Sequence, residues 1–513
     1  MNTALKTQEA LRLEKAATLR EMGIDPYPAA NFFTNTTTAQ IAATYPKDPT
    51  SCQKVSLAGR LMSRRIMGAV AFGELQDHTG QIQLYYKRDN LCPNEDKQLY
   101  NQVFKKLLDI GDIIGIQGNA FITKVGDLAI NVTSLTLLSK ALKPLPVVKE
   151  VKKGDKESKR YYTFSNPEHR YRQRYLDLIL NPDVKNIFQC RAQIMQIMRK
   201  EFNSKGYLEV ETPVLQPIYG GAAARPFTTH HNTLDMPLFL RISNELYLKR
   251  LIVGGFLGVY EFAKDFRNEG MSRFHNPEFT MLELYVAYRD YHWMMEQTEQ
   301  LLYTIATTLH GTPQVKVGTH TIDFSPPFQR FTMFEAIAHF TGVDISKMDL
   351  AALRNVAEQF NISLDDSAQK GKIIDEIFGS QCEPHLIQPT FITDYPIEMS
   401  PLAKAHRDNP ALVERFELIC NGKEVCNAFS ELNDPIAQRE RFKAQQTLAK
   451  LGDKEAMVLD EDYLLALSYA MPPTAGIGYG IGRLTMMMTN AASIQEVIFF
   501  PQMRPAKPAV ADN

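Results

Sequence analysis

The segment from residue 258 to residue 288 carries the densest set of side chains capable of chemistry. It reads GVYEFAKDFRNEGMSRFHNPEFTMLELYVAY, two alternating stretches around a polar turn. In the second stretch Phe279, Glu283 and Tyr285 share one face, because successive side chains of a β-strand point to opposite sides. Arg267 could bind a phosphate, an aromatic ring could stack on a base, and a carboxylate could hold a cation or an amine. The pattern indicates a nucleotide site. The alternative, a hairpin with charged loop residues, leaves unexplained the carboxylates on faces that should be buried.

The elements that would position this hairpin form a large C-terminal domain. A helical period appears at 184–204, and the stretch LEVETPVL at 208–215 is predicted to be a strand. Its Pro213 indicates an edge or an irregular end, because proline cannot donate to a sheet. Residues 333–385 have a mostly helical pattern and are predicted to be an insertion between strands of the sheet.

An N-terminal region of different pattern precedes that domain. Residues 5–22 are predicted to form an exposed helix, and from Val55 the period becomes two. Strand, strand, strand, helix at 94–109, strand and strand match the five-stranded OB barrel, which often binds single-stranded nucleic acid. The exposed face is predicted to carry Arg64, Arg65, Phe72, Gln83 and Tyr85. For Phe72 the alternative is an ordinary barrel-core residue.

Composition excludes several classes of protein. The chain has 513 residues, 44% hydrophobic and 22% charged, which is typical of a globular protein. Its six cysteines include no Cys-x-x-Cys pair, which argues against a disulfide scaffold and a zinc ribbon. The first residues lack an apolar signal core, and the longest apolar stretch is half of what a membrane span needs. We therefore expect a soluble cytoplasmic protein with no membrane association.

The net charge of −1 conceals two opposite parts. Residues 1–170 hold 24 basic and 17 acidic residues, a net +7, whereas the remainder holds 33 and 41, a net −8. A basic N-terminal part suits an anionic partner such as RNA, and an acidic C-terminal part suits cations. Chance asymmetry between solvated surfaces is the alternative.

The string FRNEG…HNPEFT resembles the second signature motif of the class II aminoacyl-tRNA synthetases, and the longer segment resembles the lysyl-tRNA synthetase family. Supporting matches run from about residue 55 to 507: RRIMG, GQIQLY, RYRQRYLDLI, ARPFTTHHN, LRISNELYLKRL, PTFITDYP, NAFSELND, PTAG and EVIFFPQMRP. The resemblance implies a multidomain α+β fold, with an N-terminal OB-fold β-barrel and a class II antiparallel sheet of six strands flanked by helices. The implied segments are a helical extension at 1–50, an anticodon-binding barrel at 51–140, a basic linker at 141–170, and a catalytic domain at 171–507 with the insertion at 333–385.

The resemblance implies ATP-dependent activation of L-lysine to lysyl-adenylate and transfer to the 3′ end of tRNA(Lys) for translation, with Mg²⁺ as cofactor. It also implies a homodimer formed partly through residues 184–217. Two alternatives stay open: a relative that lysylates a protein, and a catalytically altered, RNA-binding paralogue.

Residue roles follow from the same resemblance. The implied catalytic residues are Arg267 and Arg483, and the ATP site adds Glu269, His275, Asn276, Phe279 and Glu417. The implied lysine site holds Gly221, Glu245, Arg267, Glu283, Tyr285, Asn427, Phe429, Glu431 and Gly478. Glu417 and Glu424 are the implied Mg²⁺ ligands, and Arg65, Phe72, Gln83 and Asp127 the anticodon-binding residues. Two carboxylates and a phenol around the side chain suit an ammonium and reject aspartate, because an unpaired buried charge costs several kcal/mol.

The sequence departs from the family pattern at four positions in three regions. Cys426 and Ala428 stand where glycine is usual, and their Cβ atoms are expected to narrow the pocket floor. Gly482 replaces a carboxylate, and Asp127 replaces a glutamate. Strict alternation would put Glu424 on the wrong face of its strand, so we expect a bulge near Cys426.

Overall fold

The computed structural model describes residues 3–146, 149–153, 157–161, 164–365, 368–450 and 457–505. These fall into two compact units, Met1–Phe164 and Ser165–Asn513. Parts of the predicted linker (147–148, 154–156 and 162–163) and residues 506–507 of the predicted catalytic domain lie outside the described residues. No helix in the described ranges is long and apolar enough to span a membrane.

The first unit is built on a closed five-stranded barrel of order β1-β2-β3-β5-β4. Its strands are β1 (Val55–Met67), β2 (Val70–Gln76), β3 (Gln81–Lys87), β4 (Ile113–Ile122) and β5 (Leu128–Ser139), followed by β6 (Lys149–Lys153) and β7 (Glu157–Tyr161). Its helices are α1 (Thr3–Glu21), α2 (Thr38–Thr44), α3 (Arg88–Leu91) and a π-helix (Leu99–Leu107), with a 3₁₀ turn at Pro49–Cys52. The predicted OB order is therefore confirmed. Alternation fixes the barrel wall: Ile82, Leu84 and Tyr86 of β3 are buried in its core.

The N-terminal helix is exposed over most of its surface, as expected, but one face is buried against the barrel. Leu19 of α1 is fully buried, and Arg12 donates from Nη1 to the Ala141 carbonyl (2.9 Å) and from Nη2 to the Ile110 carbonyl (3.0 Å). Lys15 pairs with Asp109 at 2.6 Å. The helix is therefore docked on the barrel by one guanidinium and an ion pair, which helix periodicity does not reveal.

The predicted linker contains regular structure. β6 and β7 pair antiparallel, with Lys149 opposite Tyr161 and Lys153 opposite Glu157. The sequence suggested only a proline-punctuated basic run, because its residues show no clear apolar alternation.

The second unit carries an eight-stranded sheet of order β16-β17-β18-β19-β20-β13-β12-β8. The described strands of the whole unit are β8 (Leu208–Glu209), β9 (Leu215–Gln216), β10 (Thr228–His231), β11 (Met236–Leu240), β12 (Gly258–Phe266), β13 (Glu278–Ala287), β14 (Gln314–Val317), β15 (His320–Asp323), β16 (Gln329–Thr332), β17 (Thr390–Pro396), β18 (Leu412–Cys420), β19 (Lys423–Ser430) and β20 (Thr474–Gly480). Of these, β9, β10 and β11 form a separate three-stranded sheet, and β14 and β15 form a two-stranded one. The central strands, β17 to β12 in this order, are antiparallel, as predicted. A parallel strand is added at each edge, β16 beside β17 and β8 beside β12.

Helices flank this sheet. They are α4 (Pro167–Arg172), α5 (Arg174–Leu180), α6 (Asp183–Ser204), α7 (Glu245–Val253), α8 (Tyr291–His310), α9 (Met333–Thr341), α10 (Leu350–Gln359), α11 (Lys370–Gln381), α12 (Pro435–Lys450), α13 (Glu461–Ser468) and α14 (Ile481–Thr489), with 3₁₀ turns at Glu383–His385, Ile397–Met399 and Ile494–Glu496. The helix predicted at 184–204 is confirmed as α6. Helices α9 to α11 lie between β16 and β17, where the insertion was predicted, and they share a hydrophobic cluster with Ile392 of β17 and Ile419 of β18.

The strand predicted at 208–215 is wrong as a single element. The chain forms two-residue strands on either side of Pro213, β8 at the sheet edge and β9 paired with β11. Proline has no N–H to donate, so the ladder is interrupted there.

Candidate active site

Two neighbouring rows of residues cross the sheet and place most of the predicted lysine site on one face. In the first row the paired residues are Glu417, Asn427, Gly478, Glu283 and Glu261. In the second row they are Arg415, Phe429, Gly476, Tyr285 and Val259. Each member of one row is two positions from its neighbour in the other, so both rows share a face.

The carboxylates on this face are buried. Glu283 is 9% exposed and Glu431, just past the end of β19, is 1% exposed. Tyr285 donates its hydroxyl hydrogen bond to Glu283 Oε2 at 2.9 Å. Burial, and next the charge of Glu245, raises the pKa of Glu283 well above its usual value, and burial does the same for Glu431. Desolvated carboxylates of this kind gain most from a cationic ligand.

Glycines of β20 make room for these carboxylates. A Cβ at Gly478 would lie 2.8 Å from Glu283 Oε1, and one at Gly476 would lie 1.9 Å from Glu431 Oε1. The structure therefore brings Gly478 to the predicted lysine site. It adds Gly476, whose signal was the PTAG string. Gly221 has φ +85°, and a Cβ there would lie 3.3 Å from that of Glu245, so these two predicted partners are adjacent.

A buried lysine that the sequence reasoning missed lies among these groups. Lys249 of α7 is fully buried, and its Nζ lies 2.5 Å from Glu245 Oε1. The same ammonium pairs with Glu431. The only signal in the sequence is the Glu245–Lys249 spacing of four, which usually marks a surface helix pair.

Arg267 follows β12 and is fixed by its backbone. Its N–H donates to the Pro277 carbonyl at 2.8 Å, and its guanidinium carbon lies 5.1 Å from the centre of the Phe279 ring. Its buried Nε has no hydrogen-bond partner among the residues that the structure describes. Glu269, predicted for the ATP site, is exposed and donates its backbone N–H to the Arg267 carbonyl at 2.9 Å. A ring beside a guanidinium with an unused donor fits a base and its phosphate.

The second predicted catalytic arginine is held by two neighbours. Arg483 Nη1 contacts Glu424 Oε2 at 3.0 Å, and Nη2 contacts His275 Nε2 at 3.2 Å. Because a guanidinium only donates, Nε2 accepts, which leaves the proton on Nδ1, 2.8 Å from Ser272 Oγ. Burial and the Arg483 charge lower the pKa of His275, in agreement with a neutral ring.

Asn276 holds the loop. Its Nδ2 donates to the Glu278 carbonyl at 2.6 Å, and its Oδ1 accepts from the Gln502 N–H at 3.3 Å. The structure thus places Asn276 beside His275, while its role in ATP binding stays a prediction.

The two predicted metal ligands lie on adjacent strands. Residue Leu418 is opposite Cys426, and the next residue, Ile419, is opposite Glu424, so β19 has the expected bulge. Glu417 Oε1 accepts from Arg415 Nη2 at 2.5 Å. Burial raises the pKa of Glu417 to about 7, against the pull of Arg415 and with a further increase from Glu424. No group of three or more metal-ligating side chains occurs within the described ranges. Two carboxylates nevertheless fit Mg²⁺, which prefers oxygen and usually binds through one or two carboxylates plus water and substrate phosphates.

The expected narrowing of the pocket by Cys426 and Ala428 is wrong. Both side chains are buried in the hydrophobic core on the opposite side of β19 from Asn427, with Ile477 and Tyr479. Gly482 has a packing reason, because a Cβ there would lie 2.4 Å from Ile494 Cδ1.

The barrel forms a separate candidate site with an aromatic cluster. Phe72 and Tyr85 have ring centres 5.4 Å apart, and Phe121, which was not predicted, lies 5.6 Å from Tyr85. All three are half-buried, so the interpretation of Phe72 as an ordinary core residue is wrong. Arg65 is exposed opposite Phe72.

The other predicted barrel residues differ in their surroundings. Gln83 Oε1 is buried without a hydrogen-bond partner in the described part of the chain. Asp127 is exposed in the turn between β4 and β5. The placement of Arg64 on the same face is wrong: it donates to the Phe104 carbonyl and covers the Phe104 ring at 5.7 Å, because alternation directs it away from Arg65.

Comparison with known proteins finds a matching family model for each unit. Residues 166–504 match the family model of class II tRNA synthetases (D, K and N), and residues 55–138 match that of the OB-fold nucleic acid binding domain. A protein named lysine–tRNA ligase from Porphyromonas gingivalis is 56% identical over 510 residues, covering 99% of this chain and 87% of the relative. Proteins of the same name from Christiangramia forsetii (56%, covering 99% and 88%) and Azobacteroides pseudotrichonymphae (55%, covering 98% and 99%) are similar over comparable lengths.

Proposed function

This chain belongs to the class II tRNA synthetases of the D, K and N group, and from that premise we propose that it joins L-lysine to the 3′ end of tRNA(Lys) with ATP. The buried pocket of Glu283, Tyr285 and Glu431 is the observation that carries the choice of lysine. Aspartate would add a further carboxylate beside these two, and asparagine would leave Glu283 without a counter-charge, at a cost of several kcal/mol.

Activation requires no general base, because the lysine carboxylate is already an anion. One of its oxygens forms a bond to the α-phosphorus of ATP, the bond from that phosphorus to the bridging oxygen breaks, and pyrophosphate leaves with the electron pair. Arg267 and Arg483 would stabilise the negative charge on the phosphoryl oxygens. His275 and Glu424 hold Arg483 in place, and Phe279 would stack on adenine.

Glu417 and Glu424 would hold Mg²⁺, which supplies neutralisation of the phosphate charge when it is bound. In the structure each of these carboxylates also pairs with an arginine, Glu417 with Arg415 and Glu424 with Arg483. These pairs show how the fold keeps the two carboxylates compensated.

The barrel, assigned here to residues 51–140, is proposed to bind the anticodon. Phe72 would stack on a base, Arg65 would meet the backbone, and the unused Gln83 Oε1 and Asp127 would accept hydrogen bonds from base edges. Single-stranded RNA is read in this way by aromatic stacking and edge contacts.

A homodimer through residues 184–217 is also proposed. Leu208 is 46% exposed and Leu215 is 50% exposed, beside the exposed Val214. Several exposed apolar side chains in one short stretch are typical of a protein interface.

A charging assay tests the proposed function. The protein is incubated with radiolabelled lysine, ATP, Mg²⁺ and either tRNA(Lys) or elongation factor P. Label in tRNA that is released by mild alkali, as expected of an ester, supports the proposal. Label in the protein acceptor alone would instead identify a protein-lysylating relative, and no label in either acceptor would favour a catalytically altered paralogue.

A further inference from the structure

The ammonium of Lys249 is surrounded by the acidic groups of the amino-acid pocket. Its side chain is fully buried, and it contacts Glu245 on its own helix and Glu431 at the end of β19. The ring centre of Phe429 lies 5.3 Å from Nζ and that of Tyr285 lies 6.0 Å away, both within the range of a cation–π contact. An internal ammonium thus lies where an ammonium-bearing substrate would be recognised.

The ammonium of Lys249 compensates one of the formal negative charges of the pocket. Glu245, Glu283 and Glu431 bring three negative charges and Lys249 one positive charge, which leaves two. Arg415, a second cation that acts on Glu245, is already bound to Glu417 at 2.5 Å and to Asn427 at 2.9 Å. Free lysine carries two ammonium groups, and its carboxylate is assigned to Arg267. The two positive charges of the substrate therefore match the two negative charges that Lys249 leaves uncompensated.

We propose that Lys249 is a specificity-determining positioning residue, whose ammonium bridges Glu245 and Glu431 so that each carboxylate keeps one side open for an ammonium of the substrate. The inference rests on the proposed lysine activation. Glu431 Oε1, which has no hydrogen-bond partner among the described residues, faces the space left by Gly476. Lys249 therefore acts through the carboxylates and not on the reacting atoms.

The position of Lys249 allows its charge to be separated from its bulk. Lys249→Met keeps most of the volume and removes the charge. Lys249→Ala removes the propylammonium portion of the side chain, which can be supplied from solution as propylammonium ion or mimicked without charge by 1-propanol. Lys140 offers a matched control, because it is also fully buried and also bridges two carboxylates, Asp109 at 2.7 Å and Asp112 at 3.0 Å, in the barrel.

The experiment measures lysine-dependent ATP–pyrophosphate exchange in the full chain. Lys249→Met and Lys249→Ala are expected to raise the KM for lysine on the order of a hundredfold, as for a broken buried ion pair, with little change in the KM for ATP. Propylammonium should lower the KM of Lys249→Ala by tenfold or more, whereas 1-propanol should not. Lys140→Ala should respond to neither compound.

Several results would overturn the inference. These are a KM for lysine within threefold of wild type in Lys249→Met, rescue of Lys249→Ala by 1-propanol as well, or rescue by neither compound. If the alanine variant does not fold, Lys249→Arg decides, because it should stay within tenfold of wild type while Lys249→Met does not; equal losses would contradict a role for the charge. Absence of lysine-dependent exchange in the wild type would refute the proposed function itself, which is a separate result.

Discussion

Replacing Glu283 by glutamine tests the lysine pocket with the smallest change in shape. Glutamine keeps the volume of the side chain and can still accept the hydrogen bond that Tyr285 donates to Oε2 at 2.9 Å. What it removes is one negative charge at a site that is 9% exposed. The substrate ammonium would then meet a neutral amide in a desolvated cleft.

The expected loss follows from the burial of this charge. Hydrogen bonds to charged groups contribute about 1.5–3 kcal/mol, and breaking a buried ion pair costs about 3–5 kcal/mol. Taking about 3 kcal/mol, at about 1.4 kcal/mol per factor of ten, the kcat/KM for lysine should fall on the order of a hundredfold. The KM for ATP should change little, because Glu283 lies in the row beside Asn427 and Gly478 and not beside Phe279.

The thermal stability of Glu283→Gln should rise although its activity falls. Because the pKa of Glu283 is raised in the folded protein, its ionised form is disfavoured there, and the resulting destabilisation is absent below its unfolded value near 4.5 and grows as the pH rises above it. Without lysine, Glu283→Gln should therefore have a higher Tm than wild type at pH 8, and this difference should shrink toward pH 4.5. Added lysine should raise the Tm of the wild type and not that of the variant.

The assay is lysine-dependent ATP–pyrophosphate exchange together with thermal melts. Glu299→Gln is the matched control, because Glu299 is also buried but accepts from the Phe328 N–H at 3.0 Å, outside the candidate pocket. A kcat/KM for Glu283→Gln within threefold of wild type would show that no substrate ammonium meets this carboxylate. The same loss in Glu299→Gln would show a general effect of buried charge.

Three further changes probe other parts of the site. Gly476→Ala should lower kcat/KM for lysine by tenfold or more, because its Cβ would lie 1.9 Å from Glu431 Oε1. Exchange kinetics at varied lysine measure this ratio, and an unchanged kcat/KM would contradict the prediction. Phe72→Ala should raise the KM for tRNA(Lys) in charging assays and leave lysine activation intact, since its ring belongs to the barrel; equal loss in both steps would make the residue structural. Glu424→Gln should increase the Mg²⁺ concentration that half-saturates exchange by several-fold, measured by titration at fixed ATP, and an unchanged midpoint would remove Glu424 from the metal site.

The barrel and the hairpin at 258–288 could be predicted because their strands alternate, whereas the six-stranded sheet was implied only by the family resemblance. The hairpin predicted at 258–288 is observed as β12 and β13. The bulge near Cys426 was expected because strict alternation would direct Glu424 and Asn427 to opposite faces of β19. The division of 208–215 at Pro213 was missed, since the apolar residues alternate through a position that cannot donate to a sheet.

The sequence does not reveal which side chains the packing of separate elements brings together in the pocket. Lys249 follows Glu245 at the spacing of an ordinary surface pair, and only the packing of α7 on the sheet buries it beside Glu431. Likewise, Cys426 and Ala428 were expected to narrow the pocket floor, but the register of β19 places both side chains in the hydrophobic core. Arg12 docks α1 through backbone carbonyls, and these have no sequence signature at all.

The central claim is that two buried carboxylates and a phenol select lysine for activation. ATP–pyrophosphate exchange by the wild-type protein, measured with lysine, aspartate and asparagine in turn, tests it most directly. Exchange with lysine, and with neither of the other two above background, is the predicted result. Exchange driven by aspartate or asparagine, or none with lysine in folded protein, would contradict it.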